Sequence, residues 1–197
     1  MKEKTFWKRI QQGDERAFRQ LYDNYAEWLY GYGMKIAGND NMVTEAVQSL
    51  FVYIFEKRTT CSEPVSIPAY LCVSLRNILL DGLKKSNRML ESFDEARMLD
   101  YDFNLEIDVE EAIIQSELKK EQLEILQREL NRLTKQQREV IYLRYYKKLS
   151  PDEIAQVMGL TSRTVYNTTH TAMTRLRQNL DKASLMSVIA NIVWIIN

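Results

Sequence analysis

The sequence predicts an all-α protein: an N-terminal helical bundle and a C-terminal helix-turn-helix domain, two small domains joined by an acidic linker. Three observations predict this. Glycine and proline are scarce, six and three in 197 residues, while Leu, Glu, Lys, Gln and Arg fill long stretches, a composition that favours helix. Apolar residues recur at i, i+3, i+4 and i+7 along most of the chain. Finally, a formal net charge of zero conceals an ordered pattern. Residues 1–90 carry 13 basic and 10 acidic groups, residues 91–111 one and nine, residues 112–133 four of each, and residues 134–197 nine and four. Two mildly basic blocks flank a strongly acidic segment.

The elements follow in order. A short helix over Thr5–Gln11 ends near Gly13, and Asp14 caps a second in which Phe18, Leu21, Tyr22, Tyr25, Trp28, Leu29 and Tyr32 recur at helical spacing. That helix stops near Gly38-Asn39, where Asp40 caps a third with Val43, Val47, Leu50, Phe51, Ile54 and Phe55 on one face. After a polar loop, Ser66 and Pro68 open a fourth helix that runs to about Lys85–Asn87. From Leu90 to about Asp108 no period is visible, and this acid-rich stretch reads as an extended or partly disordered linker. A charged helix, Glu110–Arg132, leads into the second domain. The corresponding divisions are 1–90, a linker 91–111, 112–182, and an apolar tail 183–197.

Several function classes are excluded. No nucleophile–base pair, metal-spaced His/Cys cluster or phosphate-binding glycine loop is present, so neither enzyme activity, metal nor cofactor is expected. Cys61 and Cys72 do not make a disulfide framework, and the N-terminus lacks the apolar core of a signal peptide, which points to a cytoplasmic protein with reduced thiols. The apolar run Leu185–Ile196 would span about 18 Å as a helix, too short for a bilayer. It reads either as a final helix covering the second domain or as a docking segment for a partner.

The densest signal lies within Thr134–Leu180. Thr134 and Gln137 have capping-box spacing, and Ser150-Pro151-Asp152-Glu153 repeats the device with proline at the first helical position. Ile154, Ala155 and Met158 face inward, Gly159 supplies a left-handed stop, Leu160 plugs the turn, and Thr161 or Ser162 caps the next helix. Val165, Thr169, Ala172 and Leu176 form its inner stripe. Its outer face offers Arg163, Tyr166, Asn167 and His170, with Thr171, to a major groove, where Arg suits guanine and Asn suits adenine.

These residues resemble the promoter −35-binding domain of extracytoplasmic-function (ECF) sigma factors. The matching elements are Gln137-Arg138-Glu139-Val140, Leu143-Arg144-Tyr145, Leu149-Ser150, Glu153-Ile154-Ala155, Gly159-Leu160, Thr164-Val165 and Leu176-Arg177. LuxR-type regulators carry a similar module. The first block discriminates between them, because Gly13-Asp14, Ala17-Phe18 and Leu21-Tyr22 resemble the start of the family's second domain. Its acid-x-x-Gln-x-x-Phe signature stands here as Glu45, Gln48 and Phe51. The resemblance implies that these three bind the β′ clamp coiled coil of core RNA polymerase, with the β flap as a further polymerase contact.

Tyr70-Leu71, Leu75-Arg76-Asn77, Asp81 and Lys84-Lys85 resemble the helix that engages the −10 element. It implies −10 DNA binding by Tyr70, Arg76, Asn77, Lys84, Lys85 and Arg88, and −35 binding by Arg144, Arg163, Thr164, Tyr166, Asn167 and His170. The implied function is a non-enzymatic sigma subunit that directs initiation and assists melting; a stand-alone helix-turn-helix regulator is the competing class. An anti-sigma factor is an implied partner. Cations at one end of the fourth helix suit phosphate neutralisation, and an aromatic such as Tyr70 beside the loop Thr59–Ile67 suits an unpaired base.

The linker reads either as a generic solvated connection or as an acidic stand-in for RNA within basic polymerase channels. Departures from the family are specific. Glu45 replaces the commoner Asp, and the recognition helix shows Tyr166, Thr168, Thr171 and Met173 where several cations are usual. Weaker, less salt-dependent binding by the free protein follows, offset by tethering to polymerase.

Overall fold

The computed structural model describes residues 2–90, 101–105 and 120–179, and the apolar tail and most of the acidic segment lie outside these residues. The described residues form helices and connecting loops, divided into two compact units, Met1–Asp102 and Phe103–Asn197.

The first unit contains α1 (Lys2–Gln11), α2 (Glu15–Ala37), α3 (Asp40–Lys57) and α4 (Ile67–Leu90). Helices α2, α3 and α4 pack mutually, with α1 against α2. Their core includes Trp7, Leu21, Leu29, Tyr32, Leu50, Ile54, Leu71 and Leu75, all essentially inaccessible. Asp14 caps α2 as its spacing requires, accepting from the amides of Arg16 at 2.9 Å and Ala17 at 3.1 Å. Gly38 ends it in the left-handed region at φ 60°. The α3 cap differs from expectation. Asn39 accepts from the Met42 amide at 2.9 Å, whereas Asp40 is already helical and accepts from the Tyr30 hydroxyl at 2.8 Å. Where α2 crosses the bundle, a Cβ on Gly33 would lie 2.7 Å from Val43 Cγ1, so only glycine permits this approach.

In the second unit stand α5 (Lys120–Asn131), α6 (Lys135–Ile141), a π-helical turn (Tyr142–Tyr146), α7 (Pro151–Met158) and α8 (Ser162–Asn179). Both expected capping boxes are formed, Thr134 with Gln137 and Ser150 with Glu153. The π turn was not foreseen. It is followed by Lys148 at φ 57°, in the left-handed region that L side chains rarely adopt. The Lys147 ammonium sits 4.3 Å from the Tyr146 ring centroid and 5.4 Å from that of Tyr142.

The described part of the acidic segment corrects the reading of a solvated linker. Residues 101–105 have no helical or strand structure, yet Phe103 and Leu105 are fully buried. Both side chains reach the second unit's core. Phe103 meets the Tyr142 ring at 5.5 Å. The Gln127 amide donates to the Leu105 carbonyl at 3.2 Å.

Candidate nucleic-acid and polymerase interfaces

Helices α7 and α8 make a helix-turn-helix whose turn is built from local chemistry. Gly159 takes φ 65° at the end of α7, and its amide returns to the Ala155 carbonyl. Thr161 Oγ1 accepts from the Thr164 amide at 3.1 Å and so caps α8. The Ser162 hydroxyl donates to Asp152, tying the starts of the two helices together. Inside, Ile154, Ala155 and Val157 of α7 and Val165, Ala172, Met173 and Leu176 of α8 are buried. Val157 and Met173 enlarge the expected inner stripe, while Met158 and Thr169 sit at its margin.

Outward, Arg163, Tyr166, Asn167 and His170 are exposed, Tyr166 by 62%. Two other candidates are committed elsewhere. Arg144 Nη1 donates to the Leu149 carbonyl at 3.0 Å, bracing the entry to α7. The Thr164 hydroxyl lies 2.8 Å from that of Thr161, within the cap. Farther along, the Thr169 and Thr171 hydroxyls donate back to the carbonyls of Val165 at 2.8 Å and Asn167 at 2.9 Å. A threonine bonded in this way to its own helix has spent its hydroxyl donor. Thr171, though exposed, therefore offers chiefly its methyl group.

On α4, Asn77, Lys84 and Lys85 are exposed and Arg76 is half-buried. Lys84 lies 3.7 Å from Asp81, a solvent-exposed pair of small energetic weight. The Arg88 side chain lies outside the described residues. Tyr70 is more enclosed than a free stacking platform. Its ring meets Trp7 edge-on at 5.4 Å, and its hydroxyl donates to Cys61 Sγ at 3.9 Å. Burial, reinforced by Cys61, pushes the Tyr70 phenol up to about 12.

Helix α3 divides the expected polymerase-binding triplet. Glu45 and Gln48 are exposed, but Phe51 is only 3% accessible, its ring packed on Phe18 at 6.3 Å and Tyr22 at 4.9 Å. At about 100° per residue, position i+6 lies roughly 120° round the helix from i. Phe51 is thus a core residue that seats α3 and does not present its ring to a partner. The helical period puts Val52 and Phe55 beside Glu45 and Gln48, and both are exposed. Helical spacing alone held that signal.

Among the described residues no group of three or more His, Cys, Asp or Glu side chains is arranged to hold a metal ion, and no helix is long and apolar enough to cross a membrane.

Comparison with known proteins supplies the wider context. Residues 123–176 match the family model of sigma-70 region 4. The ECF RNA polymerase sigma factor BldN of Streptomyces coelicolor is 29% identical over 152 residues, covering 77% of this chain and 55% of that protein. SigX of Bacillus subtilis, also an ECF RNA polymerase sigma factor, is 25% identical over 171 residues, 85% of each chain. The chain therefore spans little more than half of the Streptomyces relative. Among solved structures, the Bartonella quintana sigma factor RpoE with the anti-sigma factor NepR has a TM-score of 0.57 at 19% identity, covering 84% of this chain and 97% of that one. CnrH with the cytosolic domain of CnrY has 0.55 at 20%, covering 91% and 97%. These two likenesses establish the fold. A helical bundle followed by a helix-turn-helix that matches sigma-70 region 4 is the arrangement found here. Residues 123–176 thus match a sigma-70 region 4, and over most of its length the chain is similar to ECF RNA polymerase sigma factors.

Proposed function

We propose that this chain is a specificity subunit that binds core RNA polymerase and directs promoter-dependent initiation. In this reading α8 recognises the −35 element and α4 the −10 element, and the exposed face of α3 around Glu45 and Gln48 docks the β′ clamp. The observation that carries it is the joint presence, in one chain, of a region 4 helix-turn-helix with an exposed Arg163–Tyr166–Asn167–His170 face and a separate bundle bearing the α3 and α4 surfaces. The work of such a subunit is binding and positioning, with no covalent chemistry. RpoE and CnrH are each held by a partner in their solved complexes, and an anti-sigma partner of the same kind is proposed here.

The test is reconstitution with core polymerase on a promoter library. Initiation that depends on the added protein, and that is lost when Glu45 and Gln48 are both replaced by Ala, is the expected result. Specific DNA binding without initiation on any promoter would overturn it in favour of a stand-alone regulator.

A further inference from the structure

Arg76 projects from α4, the helix proposed to meet the −10 element, and its head group is already engaged within the first unit. Nη2 donates to the Tyr101 hydroxyl at 2.7 Å, and the guanidinium carbon stands 5.4 Å from the Tyr101 ring centroid. Those two distances place the guanidinium at the hydroxyl end of the ring, so the hydrogen bond dominates over stacking on the π face. Tyr101 is 25 residues farther along the chain, two positions before the buried Phe103. The phenol oxygen accepts one of the guanidinium N–H groups. A phosphate or a base edge would require the same N–H group, and would add charge complementarity.

We propose that Tyr101 is a built-in competitor for the arginine: the connecting segment occupies Arg76 in the free protein, and nucleic acid must displace the phenol to reach it. The proposal rests on the reading of α4 as a DNA-binding helix. Its physical content is an exchange of one donor between two acceptors. The segment that follows α4 in sequence thereby restrains nucleic-acid binding by the protein alone.

The test uses the full chain and a fluorescein-labelled, random-sequence single-stranded DNA 20-mer, with affinity read by anisotropy at constant salt. Tyr101→Phe keeps the ring and removes only the hydroxyl that accepts from Arg76; Tyr101→Ala removes both ring and hydroxyl. Each is expected to bind about three- to tenfold tighter than the parent, the size of one modest hydrogen bond released. Adding Arg76→Ala to Tyr101→Phe is expected to abolish the gain. Tyr101 variants that bind equally or more weakly overturn the competition. If Arg76→Ala costs nothing in the Tyr101→Phe background, the assignment of Arg76 to DNA fails, a separate result that removes the proposal with it. Unchanged helical circular dichroism of Tyr101→Phe keeps altered folding out of the comparison.

Discussion

Arg138 Nε donates to the main-chain carbonyl of Phe103 at 2.7 Å, binding a residue from the acidic segment to the helix that precedes the helix-turn-helix. Nη1 of the same guanidinium donates to the Leu133 carbonyl at 2.8 Å, so one side chain secures two stretches of irregular backbone. Arg138→Ala should cost the second unit about 2 kcal/mol, as expected for charge-assisted bonds to part-buried carbonyls. Phe103→Ala should cost about 3–5 kcal/mol through the cavity left beside Tyr142. Hydrogen exchange over α5 and α6 should accelerate in both variants, and unchanged protection would refute this anchoring role.

Gly33→Ala introduces a methyl group 2.7 Å from Val43 Cγ1 and 3.3 Å from Leu79 Cδ1. Overpacking of this kind costs about 1–3 kcal/mol, visible as a lower urea midpoint. Adding Val43→Ala should recover part of the loss, because the clash is with that side chain. A double variant no better than the sum of the singles would place the strain elsewhere.

Two groups contribute to opposite limbs of the pH profile. The backbone amide of Ala17, then Arg9, holds the Asp14 carboxyl below its usual range. A carboxyl depressed on folding stabilises above its unfolded pKa and loses that contribution as pH falls through the folded value, so the loss occupies the region below about pH 4. Asp14→Asn keeps a cap without a titrating group and should flatten the melting temperature there. Tyr70 is raised to about 12. Its contribution is complete below about pH 10, the unfolded phenol value, and fades as pH climbs toward the folded one. Tyr70→Phe should flatten that alkaline limb; identical curves would show that Tyr70 contributes nothing to it.

On α8 the exposed side chains should separate by chemistry. Arg163→Ala and Asn167→Ala should each weaken binding to a cognate −35 duplex by about 1–3 kcal/mol, the range for a good base contact. Thr171→Val should leave affinity within about 0.5 kcal/mol, because that hydroxyl already serves the Asn167 carbonyl and the methyl is retained. Competition titrations on one labelled duplex measure all three, and a large loss at Thr171 would contradict the assignment.

How much was legible depended on range. Caps are local chemistry, so Asp14, the Thr134–Gln137 and Ser150–Glu153 boxes and the Gly159 stop were readable from spacing. At α3 two adjacent capping residues compete, and spacing could not decide between Asn39 and Asp40; the Tyr30 hydroxyl engages the latter. The π turn over Tyr142–Tyr146 has apolar and aromatic composition that suits an α-helix equally well. Phe103 and Leu105 were hidden because charge dominates their surroundings, and two apolar residues in alternation make a weak signal beside nine acids in 21 positions. The recognition-helix face was visible as a stripe, but only side-chain geometry revealed that Thr164 and Arg144 are committed to the scaffold.

The burial of Phe51 has a consequence for genetics. On the proposed reading, alleles at Glu45, Gln48 and Phe51 would all reduce transcription, yet their remedies differ. A weakened interface obeys mass action, so overproducing a protein altered at Glu45 or Gln48 should restore output. A hole beneath Phe18 and Tyr22 lowers the fraction of molecules that are folded, and growth at reduced temperature should be the better suppressor. Dosage and temperature together would sort alleles of one signature into contact and scaffold.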